Sequence, residues 1–288
     1  MKVHLVDGTF ELFRCFHGAP RAVANGREVG ATRAMLATLV SLLNEPGVSH
    51  VAVAFDSVVA PPGSAKATGP AAAAESLIGA QQPLAAMVVR ALGLPVWPAG
   101  RYQADELIAT AASRYADERG VDQVVICSND NDFMQCVRGD RVVLLDRIRR
   151  RVTNAAAVKE RFGVDPDQIP ELFALIGDRS DGLPGVPGWG RVSAASLLAR
   201  YRRLEDIPVD PAEWDVAVRG RAQLSASLRE RWPEALLCRD VSVLRTDLPL
   251  RQTVPDVEWH GASRTAVADL VDLIEDDTTV SRISGWSD

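Results

Sequence analysis

Short, almost wholly apolar runs alternate with longer segments of helical period through the first half of the chain, and no other feature constrains the fold as much. Val3–Val6 ends at Asp7, and His50–Phe55 ends at Asp56. Leu94–Trp97 stands between Gly93 and Pro98, Gln123–Cys127 runs into a turn at Ser128–Asp132, and Arg141–Leu145 follows. Between them lie Ala31–Leu43, Leu77–Leu92 and Asp105–Tyr115. In the first of these, Met35, Leu36, Leu39, Val40 and Leu43 share one helical face. Strands separated by helices of this length imply right-handed crossovers and a mainly parallel sheet flanked by helices, an α/β fold. Open sheets of that kind place their sites outside the carboxyl ends of the strands. Asp7 and Asp56 stand at such ends, and Asp130 follows a third strand closely.

After about residue 154 the strands stop. Helices are expected around Ala155–Arg161, Asp167–Ile176, Arg191–Tyr201, Ala222–Arg231, Pro233–Val243 and Ser263–Ile274, with Pro249–Trp259 extended. The expected division is an α/β part over 1–153 and a helical part over 154–288. Val58–Ala74, rich in Ala, Pro and Gly, reads as a flexible loop.

Composition narrows the classes. With 288 residues, 47% apolar and 24% charged, the chain can bury an ample core. Its net charge of −6 does not by itself suggest a nucleic-acid partner. Arg supplies nearly all positive charge, since only Lys2, Lys66 and Lys159 are lysines. Cys15, Cys127, Cys136 and Cys238 form no metal or disulfide pattern and read as reduced thiols in the cytoplasm. No apolar run reaches the ~18 residues of a spanning helix, so no membrane is expected. A monomer is the simple reading.

The acids come in pairs: Asp105 with Glu106, Asp130 with Asp132, Asp178 with Asp181. Each pair has an ordinary explanation, as helix-start acids, an N-cap or turn residues. Those explanations do not cover the strand-terminal Asp7 and Asp56. Eight carboxylates at one sheet end would repel unless cations neutralised them. Mg²⁺ or Mn²⁺ suits such hard oxygen donors, and two ions about 4 Å apart can promote phosphodiester hydrolysis.

A second motif is Gly185-Val186-Pro187-Gly188-Trp189-Gly190, followed by Arg191-Val192-Ser193. A Gly-x-Gly hairpin lets backbone approach a phosphate, and the next helix start offers free N–H groups. This is a helix–hairpin–helix pattern over about 177–203, with Gly185, Gly188, Gly190, Arg191 and Ser193 as candidate DNA contacts. Two arginine runs (Arg147, Arg149, Arg150, Arg151 and Arg200, Arg202, Arg203) are either solvated surface or further backbone contacts.

These residues resemble the bacterial 5′–3′ exonuclease and flap endonuclease family, the kind found as the nuclease domain of DNA polymerase I. The resemblance is carried by LVDGTFELFRCFHG at Leu5–Gly18, VAVAFD at Val51–Asp56, ADELI at Ala104–Ile108, NDNDFMQCV at Asn129–Val137, KERFGVDPDQIPELFALIGD at Lys159–Asp178 and GDRSDGLPGVPGWG at Gly177–Gly190. It implies a PIN-like α/β domain followed by a helix–hairpin–helix domain of the H3TH type. It also implies a free-standing 5′ nuclease acting on DNA that is branched or has a 5′ end. Asp7, Asp56, Asp105 and Asp130 would serve one group of metal ions. Asp132, Asp178 and Asp181 would serve another, with Glu106 beside them. It further implies K⁺ bound at the hairpin, and a helix over Phe10–Phe16 near the scissile end.

Three departures weaken the family pattern. Gln103 stands where the family has an acid. The basic arch is reduced to Ser57–Ala74 with only Lys66, and Val192 replaces the lysine after the hairpin glycines. Losing one charge-stabilising group often costs about 10²–10³ in rate. A degenerate fold that binds branched DNA without efficient cleavage is therefore the alternative. A PIN-type ribonuclease is a third reading, against which the hairpin argues.

Overall fold

The computed structural model describes residues 1–56, 70–98, 100, 102–178 and 182–287. Lys66, Asp181 and residues 58–69 of the Ala/Pro/Gly-rich stretch lie outside the described residues. The chain forms two compact units, Met1–Asn129 with Thr246–Asp288, and Asp130–Arg245.

The first unit opens with β1 (Lys2–Asp7), α1 (Gly8–Gly18), the small hairpin β2 (Val23–Ala24) and β3 (Arg27–Glu28), α2 (Gly30–Leu43) and β4 (Val48–Phe55). It continues through α3 (Pro70–Ala91), β5 (Val96–Pro98), α4 (Ala104–Ala116) and β6 (Gln123–Cys127). Its strands lie in the order β5-β4-β1-β6, all parallel. Val3, Leu5, Val53, Ile126 and, from the helices, Met35, Leu36, Leu39, Ile108 and Tyr115 are fully buried. Strands covered on both faces have no reason to alternate polar with apolar, which is why they read as continuous apolar runs. Gly8 is dictated by packing, since a Cβ there would stand 2.7 Å from the Ala54 carbonyl oxygen.

One expectation changes here. Residues 70–74, expected in the flexible loop, begin α3. Proline is tolerated at a first helical position, and the alanines that follow have the highest helix propensity.

The second unit begins with a 3₁₀ turn over Asp132–Cys136, followed by the antiparallel hairpin β7 (Val142–Asp146) and β8 (Arg151–Thr153). Buried Asp146 ties its turn, accepting from the Ile148 and Arg149 amides at 3.0 Å each. Helices follow: α5 (Ala155–Phe162), α6 (Ile169–Ile176), α7 (Arg191–Tyr201), α8 (Arg221–Glu230) and α9 (Trp232–Ser242). The apolar face of α6, with Ile169, Leu172, Phe173 and Leu175 buried, packs on α7 and α9. Buried Gln168 donates to the Leu198 and Arg202 carbonyls at 2.8 and 3.0 Å, satisfying the end of α7.

The tail then rejoins the first unit, with α10 (Arg264–Ile274) and α11 (Asp277–Val280). The Trp259 amide donates to the Ser49 carbonyl at 2.7 Å, and the Ser263 amide to that of Ala91 at 3.0 Å. Val257, Leu270 and Ile274 are buried. Pro249–Trp259, expected extended, contains a 3₁₀ turn at Pro255–Val257 and no strand. Its end bridges β4, Glu258 pairing antiparallel with His50, and side-chain donors hold the rest: Tyr115 Oη–H to the Gln252 carbonyl at 3.0 Å and Arg114 to that of Leu250 at 2.6 Å. The two compact units thus cut the chain differently from a single division at residue 153.

Candidate active site

In the first unit, the strand register decides which residues meet. Val6 pairs with Val53 and Cys127, so Asp7 at the end of β1 lies opposite Ala54 on one side and beside Ser128 on the other. The Asp7 carboxylate is buried and held at both oxygens. Oδ1 accepts from the Phe10 amide at 2.9 Å, capping α1, and Oδ2 accepts from Ser128 Oγ–H at 3.0 Å. Asp56 leaves the neighbouring strand β4 two residues beyond Ala54. Its amide donates to Thr9 Oγ1 at 2.8 Å, and its Oδ1 accepts from the Ala104 amide at 2.8 Å. Asp56 is thereby tied to the first residue of α4, and Asp105 and Glu106 come next.

Those two acids also serve their own helix. Asp105 Oδ1 accepts from the Glu106 amide at 2.7 Å, and Glu106 Oε2 accepts from the Gln103 amide at 3.1 Å. The structure therefore gives Glu106 a capping role at the start of α4, alongside any role toward an ion.

In the second unit, Asp130 Oδ1 accepts from the Asp132 amide at 2.9 Å, and Asp132 opens a 3₁₀ turn over Asp132–Cys136. Asp178 is buried, and its carbonyl accepts from the Leu183 amide at 2.8 Å. Asp181 lies outside the described residues. Among the described residues, no group of three or more His, Cys, Asp or Glu side chains is placed to hold a metal ion.

The hairpin between α6 and α7 separates its glycines by role. Gly177 and Gly185 both have positive φ, and a Cβ on Gly185 would stand 2.4 Å from the Gly177 amide nitrogen. Gly185 is needed to close the loop on itself. Gly188, at φ 85°, meets only Leu224 at 3.8 Å, and Gly190 meets nothing within 4 Å, so both present open backbone. Ser193 Oγ donates to the Gly190 carbonyl at 2.9 Å and accepts from its amide at 3.2 Å, bracing the start of α7. Arg191 is exposed, and Val192 is 80% exposed.

Trp189 was not among the sequence candidates. It is buried, donates Nε1–H to the Leu224 carbonyl at 3.1 Å and stacks at a tilt 6.3 Å from Trp214. It fastens the hairpin to α8. Ser128 and Thr9 were missed as well. Each is a small hydroxyl residue just after a strand, which is a signal too common to stand out. The second arginine run is largely committed: Arg200 pairs with Asp215 at 2.6 Å, and Arg202 with Asp167 at 2.7 Å and Asp165 at 3.3 Å. In the first run, Arg149 pairs with Asp146 at 3.1 Å.

With this geometry in place, comparison with known proteins is informative. Residues 2–163 match the family described as 5′-3′ exonuclease, N-terminal resolvase-like domain, and residues 164–265 match 5′-3′ exonuclease, C-terminal SAM fold. DNA polymerase I of Bacillus caldotenax is 30% identical over 285 residues, covering 93% of this chain and 31% of that protein. DNA polymerase I of Mycobacterium leprae is 33% identical over 281 residues, covering 94% and 30%. The chain thus spans about a third of the length of these relatives. Among solved structures, the T5 D15 protein co-crystallised with metal ions shares the fold at TM-score 0.64 and 19% identity, covering 98% and 97% of the two chains. Human GEN1 in complex with Holliday junction DNA does so at TM-score 0.63 and 16% identity, covering 98% and 70%.

Proposed function

Because this chain belongs to the 5′-3′ exonuclease family, we propose that it hydrolyses DNA phosphodiester bonds from 5′ ends and at 5′ flaps with the help of divalent metal ions. One observation carries the reading. Asp7 and Asp56 leave neighbouring parallel strands at the same end of the sheet, and Asp56 is bonded to the start of the helix that bears Asp105.

We propose as metal ligands Asp7, Asp56, Asp105 and Glu106 in the first unit and Asp130, Asp132, Asp178 and Asp181 in the second. All are carboxylates, with no thiolate or imidazole among them. That donor set fits Mg²⁺ or Mn²⁺ and not a zinc site of the Cys/His kind. When bound, two such ions supply activation of water and neutralisation of charge on the leaving oxygen. The chain's own part is orientation. The Phe10 amide and Ser128 fix the Asp7 carboxylate in place, one donor on each oxygen. Gly188, Gly190 and the first amides of α7, with exposed Arg191, offer donors to a DNA backbone phosphate.

Finer assignments belong with this reading: K⁺ at the hairpin carbonyls, a monomer in the cytoplasm, and 1–153 and 154–288 as the nuclease and helical parts. No described helix is long and apolar enough to cross a membrane. The expected result is cleavage of a 5′-flap duplex in Mg²⁺ or Mn²⁺ that Asp130→Ala abolishes. No product at high enzyme concentration, or product equal to that of the variant, defeats the proposal.

Glu106 favours a second reading. Its carboxylate is engaged at the start of α4, and Gln103 next to it carries no charge. A chain that binds branched DNA without efficient cleavage would show salt-sensitive binding and no product, and Gln103→Glu would restore little.

A further inference from the structure

Helix α3 carries a proline in its interior, Pro83, directly after Gln81 and Gln82. Proline cannot donate to the carbonyl one turn back and ordinarily kinks or breaks a helix. At this weak point both glutamine side chains bind neighbouring elements of the first unit.

Gln81 is buried, and its Oε1 accepts from the Thr32 amide and from Thr32 Oγ1–H, at 3.1 Å each. Thr32 is the third residue of α2, whose own N-cap, Val29, supplies no side-chain acceptor. Gln81 thus satisfies a free amide at the start of α2 and pins α3 to it. Beyond the proline, Leu84, Ala85, Val88 and Val89 are buried. Gln82 therefore stands on backbone that packing fixes on both sides.

Gln82 Nε2 donates to the Asp56 carbonyl at 2.5 Å, across 26 residues of chain. Asp56 is then held at three points by three helices. Thr9 of α1 accepts from its amide, Gln82 of α3 donates to its carbonyl, and the Ala104 amide of α4 donates to its Oδ1. The backbone is tied on both sides of the Asp56 Cα, which sets the direction in which the side chain leaves the strand end. Groups that orient a metal ligand are typically worth about 10–100-fold in metal affinity or activity. They act best from rigid elements, as here.

We propose that Gln82 is a positioning residue. By holding the Asp56 carbonyl from α3, it aims the Asp56 carboxylate at a divalent ion. This inference rests on the metal-dependent nuclease reading above.

The test compares the wild-type chain with Q82M, which keeps the side-chain length and removes the donor. Mn²⁺ affinity of the DNA-free protein is read from loss of the free-ion EPR signal, and kcat and KM are measured on a 5′-flap duplex. Q82M is expected to weaken Mn²⁺ binding by about 10-fold or more and to lower kcat similarly, with KM for the flap unchanged. In a D56N background, Q82M should change Mn²⁺ affinity no further, because the carboxylate it orients is gone. A Q82M protein with lowered Tm in EDTA but wild-type Mn²⁺ affinity and kcat makes Gln82 a purely structural tie. That result overturns the inference and leaves the nuclease reading standing. Equal losses from Q82M with and without D56N overturn it as well. A wild type that neither binds Mn²⁺ nor cleaves overturns both readings. Should Q82M fail to fold, Q82N, whose amide stops one methylene short of the carbonyl, carries the same comparisons.

Discussion

In the first unit, the candidate carboxylates are held by backbone amides and small hydroxyls, whereas in the second many of the charges are held by one another. Asp7 answers to the Phe10 amide and Ser128, and Asp56 to Ala104. In the second unit, Asp165 lies below the usual carboxylate range because Lys159 and Arg202 donate to it. Asp215 lies low because Arg200 and Tyr201 do. The difference teaches what each part is built to tolerate. A carboxylate oriented by amides keeps its place whatever the salt. Exposed ion pairs are screened and contribute little each.

Within the first unit, the largest effect should come from Asp7→Ala. If the first unit carries the chemistry, single-turnover cleavage of a 5′ flap falls by about 10²–10³. DNA affinity in EDTA stays near wild type. Equal loss of both would show that the carboxylate end serves binding, and the contrast between the units would fail.

Gly185→Ala should be next. Strain at positive φ costs about 1–2 kcal/mol, and overlap with the Gly177 amide adds roughly 1–3 kcal/mol. Gly188→Ala carries only the strain, since its nearest neighbour is at 3.8 Å. Denaturant unfolding should rank the two in that order. If Gly188→Ala costs as much as Gly185→Ala, overlap with the Gly177 amide is not what makes Gly185 necessary.

Acid should separate the units. Buried His50 lies below its ordinary range, through burial first, against an opposing pull from Glu258 and with further lowering by the N-terminus and His260. Its unfolded form therefore binds more protons between the two pKa values, and stability rises with pH there. The first unit should begin to weaken as pH falls below about 6.5. Asp165, Asp215 and Glu205 are held low, so their contribution is present above about 4 and lost only below it. Hydrogen exchange at pH 5 should show loosening in peptides around β4 and Glu258 with α7 still protected. His50→Gln should flatten the first transition.

The smallest effect is expected from Gln103→Glu. An acid at the start of α4 should add about 0.3–1 kcal/mol at low salt through the helix dipole. An accompanying rise in cleavage favours the enzyme reading; a change in stability alone favours the binding-only one.

Much of the fold was legible because it depends on near neighbours along the chain. Strands β1, β4 and β6, helix α7 and the strand-terminal Asp7 and Asp56 all follow from apolar period and turn chemistry. The missed start of α3 at Pro70 shows the limit of composition, since Ala and Pro permit either a loop or a helix start. The candidate site was legible as a set of acids, but the partners of those acids were not. Ser128 meets Asp7 because β1 and β6 pair in one register, across a separation of 121 residues.

By itself, the sequence determined the α/β alternation, the helix–hairpin–helix and the family, since each is a local pattern repeated in a definite order. Only the tertiary structure decided that Trp189 fastens the hairpin to α8, that Ser128 holds Asp7, and that the tail packs within the first unit. These depend on which distant segments come to lie side by side, and that is set by the packing of whole elements and not by any residue's neighbours along the chain.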